Sequence, residues 1–200
     1  MLVFFPERLV YLAVPKTGST SVERALHRRA SAVFRDPPGI KHTNAKGYER
    51  KFRKIFERKN LAPVETIAMI REPVSWLGSW YRYRRRSALA GHKNSTENKS
   101  FDDFVEAYVS ETPPDFANIG AQSRFLCNDA GELAVDHLFV YEDFGPFISF
   151  LSDRLKREIV LDHVNASPKM DVALSTDLKN AVKERFARDF ELHAEAAKSF

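Results

Sequence analysis

The sequence predicts an α/β protein: a P-loop-like, mainly parallel sheet flanked by helices, in a single domain over residues 1–200. Three observations carry that expectation. The continuous apolar runs Leu9–Val14 and Thr66–Ile70 are each followed at once by a turn and a helical pattern, the signature of strands buried on both faces of a parallel sheet. Strand and helix patterns alternate along the chain, as in βαβ units. A length of 200 residues with 44% hydrophobic and 29% charged side chains suits one ordinary globular core and excludes disordered, collagen-like and coiled-coil chains.

Taken in order, the apolar opening Met1–Phe5 meets Pro6-Glu7-Arg8 directly and lacks the basic flank and length of a signal peptide. No run approaches the roughly 20 apolar residues of a bilayer span. The chain therefore reads as cytoplasmic, or as a lumenal domain separated from an anchor. After the strand at Leu9–Val14 and the loop Pro15–Ser21, the apolar residues Val22, Ala25 and Leu26 fall at helical spacing. A second short strand is expected at Ser31–Phe34, stopped by Pro37-Pro38-Gly39. Residues 43–59 read as an amphipathic helix with a basic solvated face and Tyr48, Phe52, Ile55 and Phe56 inward. The strand Thr66–Ile70 ends at Arg71-Glu72-Pro73, where Pro73 suits the first turn of a helix reaching about residue 88.

Gly91–Lys99 is polar and reads as a flexible loop. Ser100 with Asp103 forms a capping-box pattern for a helix at 101–110. Further elements are a helix at Ile119–Leu126, a strand at Asp136–Tyr141, and helices at Phe144–Leu155 and Ser175–His193. The single Cys127 excludes an internal disulfide and a thiolate zinc site, and reads as a small buried hydrophobe.

Ligands of such sheets bind beyond the carboxyl ends of the strands, where both the 15–21 and 71–73 loops emerge. Gly18 permits a sharp turn, and the amides of Thr17 to Ser21 open a helix whose free N–H groups and dipole attract an anion. Lys16 adds a point charge, and Thr17, Ser19, Thr20 and Ser21 add hydroxyls. Walker A loops place Gly-Lys-Ser/Thr at their end, whereas here Lys16 precedes Gly18, and the second strand ends in Arg71 rather than in an acidic Mg²⁺ ligand. An Arg71 fork with the Ser79 hydroxyl two turns along makes a second anion clamp. Glu142-Asp143 reads as a turn and helix cap. The net charge of +4 suits an anionic ligand. No metal is expected.

Two anion sites imply a ligand with phosphates at two separate places. Here the sequence resembles the sulfotransferases that use 3′-phosphoadenosine 5′-phosphosulfate (PAPS), most closely the carbohydrate-type branch and its bacterial relatives. Pro15-Lys16-Thr17-Gly18-Ser19-Thr20-Ser21 resembles the family's 5′-phosphosulfate loop, and Arg71-Glu72-Pro73 through Ser79-Trp80-Tyr81 its 3′-phosphate motif. Lys41-His42-Thr43, Gln122–Leu126, Tyr141–Phe144 and Val164–Ser167 add support in the family's order. Trp76 departs from the Arg that many relatives carry three residues after the motif's Pro.

The resemblance implies sulfuryl transfer from PAPS to an acceptor hydroxyl, of a glycan or another small alcohol. Lys16 would meet the bridging oxygen of the leaving phosphate. Thr17, Gly18, Ser19, Thr20 and Ser21 would hold the 5′-phosphate and sulfate, and Arg71 and Ser79 the 3′-phosphate. A general base is then needed. Of six histidines, His42 stands where the resemblance puts that base, with Glu23 as the alternative. His27 and His92 read as solvated, His137 as a satisfied core or edge residue of the sheet, His163 as a neighbour of the Asn165-Ala166-Ser167 segment with a place at the cofactor rim left open, and His193 as late in the final helix.

The run Arg82-Tyr83-Arg84-Arg85-Arg86 reads either as a solvated helix end favoured by the dipole or as the lining of an acceptor groove. The rival functions are a small-molecule kinase on a similar scaffold and a basic nucleic-acid-binding module. The small net charge argues against the latter, so no nucleic-acid partner is expected.

Overall fold

The computed structural model describes residues 1–161 and 173–199. His163 and the Val164–Ser167 segment lie outside them. One five-stranded sheet organises the chain, in the order β3-β1-β2-β4-β5, with β1 Leu2–Phe4, β2 Leu9–Leu12, β3 Ala32–Val33, β4 Glu65–Ile70 and β5 His137–Val140. Strands β2, β4 and β5 run parallel, with Leu12 opposite Ala68 and Ile70 opposite Val140. β1 pairs antiparallel with both β2 and β3. The sheet is therefore mixed: a parallel half carries an antiparallel edge. The apolar opening, which shows too few residues for a strand pattern, is β1 itself.

Alternation along the strands sends side chains to two helical layers. Val10, Leu12, Ala68, Ile70 and Leu138 pack with Ala45, Tyr48, Leu126 and Leu192. These come from α3 (Ala45–Tyr48), α7 (Gln122–Leu126) and α10 (Ala187–Lys198). Leu9, Tyr11, Ala13, Ile67, Met69 and Phe139 face Val22, Leu26, Phe147 and Leu151 on the other side, from α1 (Ser19–Leu26) and α8 (Phe144–Arg154). Burial on both faces explains the continuous apolar runs. A third core joins α5 (Pro73–Arg84), α6 (Phe101–Val109) and α9 (Thr176–Arg185) through Trp76, Tyr81, Phe104, Tyr108 and Val182.

Helix starts follow local chemistry. Glu72 caps α5 by accepting from the amides of Val74 (3.1 Å) and Ser75 (2.7 Å), ahead of Pro73 at the first helical position. The Ser100–Asp103 capping box closes in both directions. Asp143 caps α8 through the Gly145 amide at 2.9 Å.

Several expectations are corrected. The helix expected at 43–59 is a shorter segment: α3, a π-helical turn at Glu49–Arg53 and α4 at Lys54–Phe56. The extra residue of the π turn rotates the following face, so Phe52 and Phe56 pack inward while Ile55 is 59% exposed. The expected terminal helix is two helices broken at Phe186, whose ring stacks on Tyr108 at 4.3 Å. Pro38–Lys41 forms a short helix, α2, where only a stop was expected. α5 ends at Arg84, short of residue 88. The 91–99 loop is anchored by Thr96, fully buried, whose hydroxyl donates to the Tyr81 carbonyl at 2.9 Å.

Candidate active site

The loop after β2 and the loop after β4 emerge side by side, because those strands are parallel neighbours. In the first loop Lys16 and Gly18 both adopt positive φ, +67° and +73°. Left-handed residues in such a turn suit the backbone of an anion-binding nest. Among the described residues, the amides of Lys16 through Thr20 reach no acceptor within hydrogen-bonding geometry. Gly18 is required twice over. Its φ suits glycine, and a Cβ there would lie 2.9 Å from Phe144 Cζ and 3.3 Å from Tyr141 Cε2. Thr17 is fully buried and its hydroxyl donates to the Val14 carbonyl at 2.9 Å. Its side chain thus braces the loop and leaves only its amide for a ligand. Trp76 donates its indole N–H to the Pro15 carbonyl at 2.9 Å and pins the loop from α5.

Arg71 spans the two loops. Its Nη1 donates to the Lys16 carbonyl at 3.2 Å and its Nε to Ser75 Oγ at 2.9 Å, and its guanidinium lies 4.3 Å from the Tyr141 ring centre. Gln122 grips the Arg71 backbone from both sides: its Oε1 accepts from the Arg71 amide (2.9 Å) and its Nε2 donates to the Arg71 carbonyl (2.7 Å). Gln122 is held in turn by Asp189 of α10. That carboxylate accepts from the amides of Gln122 (2.9 Å) and Ser123 (2.8 Å) and so caps α7. Burial raises the Asp189 pKa, against the lowering effect of those hydrogen bonds. Ser79 is buried on α5, two turns beyond Arg71.

Lys16 directs its ammonium over the Tyr83 ring at 3.7 Å, with Trp80 at 5.2 Å. Burial first, and then the charges of Arg86, Arg71, Arg82 and Arg84, lower its pKa to about 7. Among the described residues no carboxylate pairs with Lys16, Arg71, Arg82 or Arg86. Two buried donors here, Trp80 Nε1 and Arg82 Nε, also have no partner among the described residues. The arginine run is therefore no uniformly solvated helix end. Arg84 is buried and donates to the carbonyls of Asp115 and Asn118. Arg85 donates to Tyr81 Oη at 2.7 Å and the Lys99 carbonyl at 3.0 Å.

His42, at the C-terminal end of α2, is hydrogen-bonded through Nδ1 to the Ala13 carbonyl at 2.6 Å. A carbonyl only accepts, so Nδ1 carries the proton and Nε2 keeps its lone pair. Burial, then the neighbouring positive charges led by Lys41, lower its pKa, while the Ala13 bond opposes them. Glu23 is bound to Lys41 at 3.0 Å and to Arg35. Burial works to raise its pKa, but those two cations outweigh it and hold the carboxyl below its ordinary value.

The other described histidines are occupied elsewhere: His137 with Glu65 at 2.6 Å, His193 with Glu142 at 3.1 Å, and His27 with the Arg24 carbonyl at 2.9 Å. His92 Nδ1 accepts from the Asn94 amide at 3.1 Å. Cys127 is a buried free thiol. Among the described residues no group of three or more His, Cys, Asp or Glu is gathered as for a metal, and no helix is long and apolar enough to cross a membrane.

Ser75, Gln122, Asp189, Trp76 and Tyr83 escaped the sequence reading as site residues. Ser75 lies one turn from Arg71 and was open to detection by spacing, and Gln122 sat within a segment already singled out. Asp189 gave no local signal. A family model described as the sulfotransferase family matches residues 1–194. No curated protein matches the chain.

Proposed function

The chain belongs to the sulfotransferase family, and from that premise we propose that it moves a sulfuryl group from PAPS to an acceptor hydroxyl, of a glycan or other small alcohol, by in-line transfer in a P-loop-like site. The observation that carries this reading is a single one: five consecutive amides and a group of cations that, among the described residues, have no acceptor and no carboxylate partner meet at the ends of β2 and β4. Such a surface is costly to keep unless an anion completes it. Two anionic centres fit it, one at the loop and one at Arg71.

The donor supplies an activated sulfuryl group on a phosphate leaving group. The amides of Lys16 to Thr20, with the hydroxyls of Ser19, Thr20 and Ser21, bind the 5′-phosphate and sulfate. Lys16 neutralises charge developing on the bridging oxygen, by the preorganised electrostatics common to such transfers. Arg71 and Ser79 take the 3′-phosphate, with Ser75 and Gln122 fixing the direction of the arginine fork. His42 Nε2 receives the acceptor's hydroxyl proton. Its tautomer and lowered pKa support this role, since a base must be unprotonated at working pH. Glu23, bound by two cations, is the weaker base. The single-domain expectation over residues 1–200 and a cytoplasmic location accord with this reading.

Adenosine 3′,5′-bisphosphate, the desulfated product, tests it. At a hundredfold over its dissociation constant it should add about 2.7 kcal/mol of stability, seen as a raised melting temperature in EDTA. Labelled PAPS should then transfer its sulfate to a hydroxyl acceptor from a panel. A shift with ATP–Mg²⁺ alone would turn the reading to a kinase, and a shift with an oligonucleotide alone to a nucleic-acid-binding module.

A further inference from the structure

The position of the Lys16 ammonium is not explained by the loop that carries it. A lysine at φ +67° has been turned out of its ordinary backbone region, which costs free energy unless the surroundings hold it there. No carboxylate does so among the described residues. Its ammonium lies against two aromatic rings, Tyr83 at 3.7 Å and Trp80 at 5.2 Å, with Trp80 packed edge-on to Tyr83 at 5.9 Å and 84°. A ring face carries a negative quadrupole and attracts a cation most strongly where water is excluded.

We propose that Tyr83, backed by Trp80, is the positioning residue for Lys16: its ring holds the ammonium beside the loop while the donor is absent and releases it to the donor's anion on binding. The proposal rests on the sulfotransferase reading of Lys16 and adds to it the residue that sets where the ammonium waits. Tyr83 is 37% exposed, so it contributes little to the core, and its value lies in the contact.

The groups facing Lys16 act in opposite directions. Arg82 and Arg84 from α5, Arg86 just beyond its end, and Arg71 from the loop after β4 disfavour the ammonium. His42, in the loop after α2, feels the Lys16 charge in turn. Glu142, near Arg71, is occupied by His193. Arg86 also lies over the Tyr83 ring at 5.0 Å, so the two cations compete for one aromatic group. Removing Tyr83 and removing Arg86 should therefore shift Lys16 in opposite senses, which a merely structural role for either would not do.

The test is direct titration of Lys16, by the pH dependence of its labelling with a small amine-reactive reagent, read by peptide mass spectrometry. Loss of the ring in Tyr83→Leu should lower the Lys16 pKa by about 0.5–1.5 pH units. Tyr83→Phe keeps a ring face and should restore the wild-type value. Arg86→Gln, at an exposed position, should raise it. Adenosine 3′,5′-bisphosphate should raise it in the wild type.

Equal titration in wild type and Tyr83→Leu overturns the proposal, as does a Tyr83→Phe value matching Tyr83→Leu. The labelling needs no turnover, so it reports on Tyr83 even if PAPS proves not to be the donor. Failure of the bisphosphate alone to move Lys16, with the variants shifting as stated, would count against the sulfotransferase reading and would leave the ring contact standing.

Discussion

His42 shows how one backbone contact can decide a side chain's chemistry. With Nδ1–H committed to the Ala13 carbonyl at 2.6 Å, only Nε2 can take a proton, and that carbonyl sits just past the end of β2 on the rigid sheet. His42→Ala should lower kcat by about 10²–10⁴-fold, while affinity for adenosine 3′,5′-bisphosphate stays unchanged in calorimetry. Because burial and Lys41 lower its pKa, the acid limb of kcat/KM should lie below the ordinary imidazole value. Activity should rise as pH passes upward through it, since the neutral ring is the active form. Turnover near wild type, or affinity lost in proportion to rate, would remove His42 from the base position.

At the scale of elements, the helices around the site are fastened by single side chains, and each fastening can be cut. Gly18→Ala places a Cβ 2.9 Å from Phe144 Cζ at φ +73°. The backbone strain alone is about 1–2 kcal/mol, so a lowered melting temperature and weakened bisphosphate binding should appear together. Asp189→Ala removes the carboxylate that caps α7 and should cost about 1–3 kcal/mol through the two amides left unpaired. By releasing Gln122, it should also weaken bisphosphate binding although Asp189 touches no ligand group. Asp189→Asn keeps one acceptor oxygen and should recover part of both losses in the same melts and titrations.

The contrast between Gly18 and Asp189 also marks how far the sequence could be read. The strand, turn and helix around residues 15–21 were legible because they are contiguous: Lys16, Gly18 and the hydroxyls follow one strand and open one helix. α5 was legible from Pro73, and the capping box from Ser100 and Asp103. The Gln122–Asp189 support was not, because it joins residues 67 apart and leaves no periodic trace. β1 was missed because three residues give too short a pattern. The break at Phe186 was missed because the ring's stacking on Tyr108 is tertiary. The fate of the arginine run was hidden too, since helical spacing alone does not reveal that the Asp115 and Asn118 carbonyls wait for Arg84.

Over the whole molecule, the unmatched positive charge at the site links stability to protons. Lys16 falls to about 7 in the folded chain, and in the unfolded chain it returns to the ordinary lysine range. Between those values the unfolded chain binds more protons, so the Lys16 contribution to stability grows as pH rises and is lost as pH falls toward 7. Urea melts at several pH values should show this as a steeper rise for wild type than for Lys16→Met. Saturating adenosine 3′,5′-bisphosphate should flatten the difference by recharging the lysine, and identical slopes without ligand would contradict the account.

The path from α10 through α7 to Arg71 has a consequence in time as well as in space. Residues 16–20 are neighbours in the chain, but their turn is braced by Arg71 and Trp76 through contacts 55 and 61 residues apart in sequence. Arg71 gains its hold from Gln122, 51 residues later, and Gln122 gains its own from Asp189. A growing chain therefore holds Arg71 without its full support until α10 has emerged and docked. The support of Arg71 is completed only when α10 docks, and a chain interrupted before Asp189 should carry the loop residues without it.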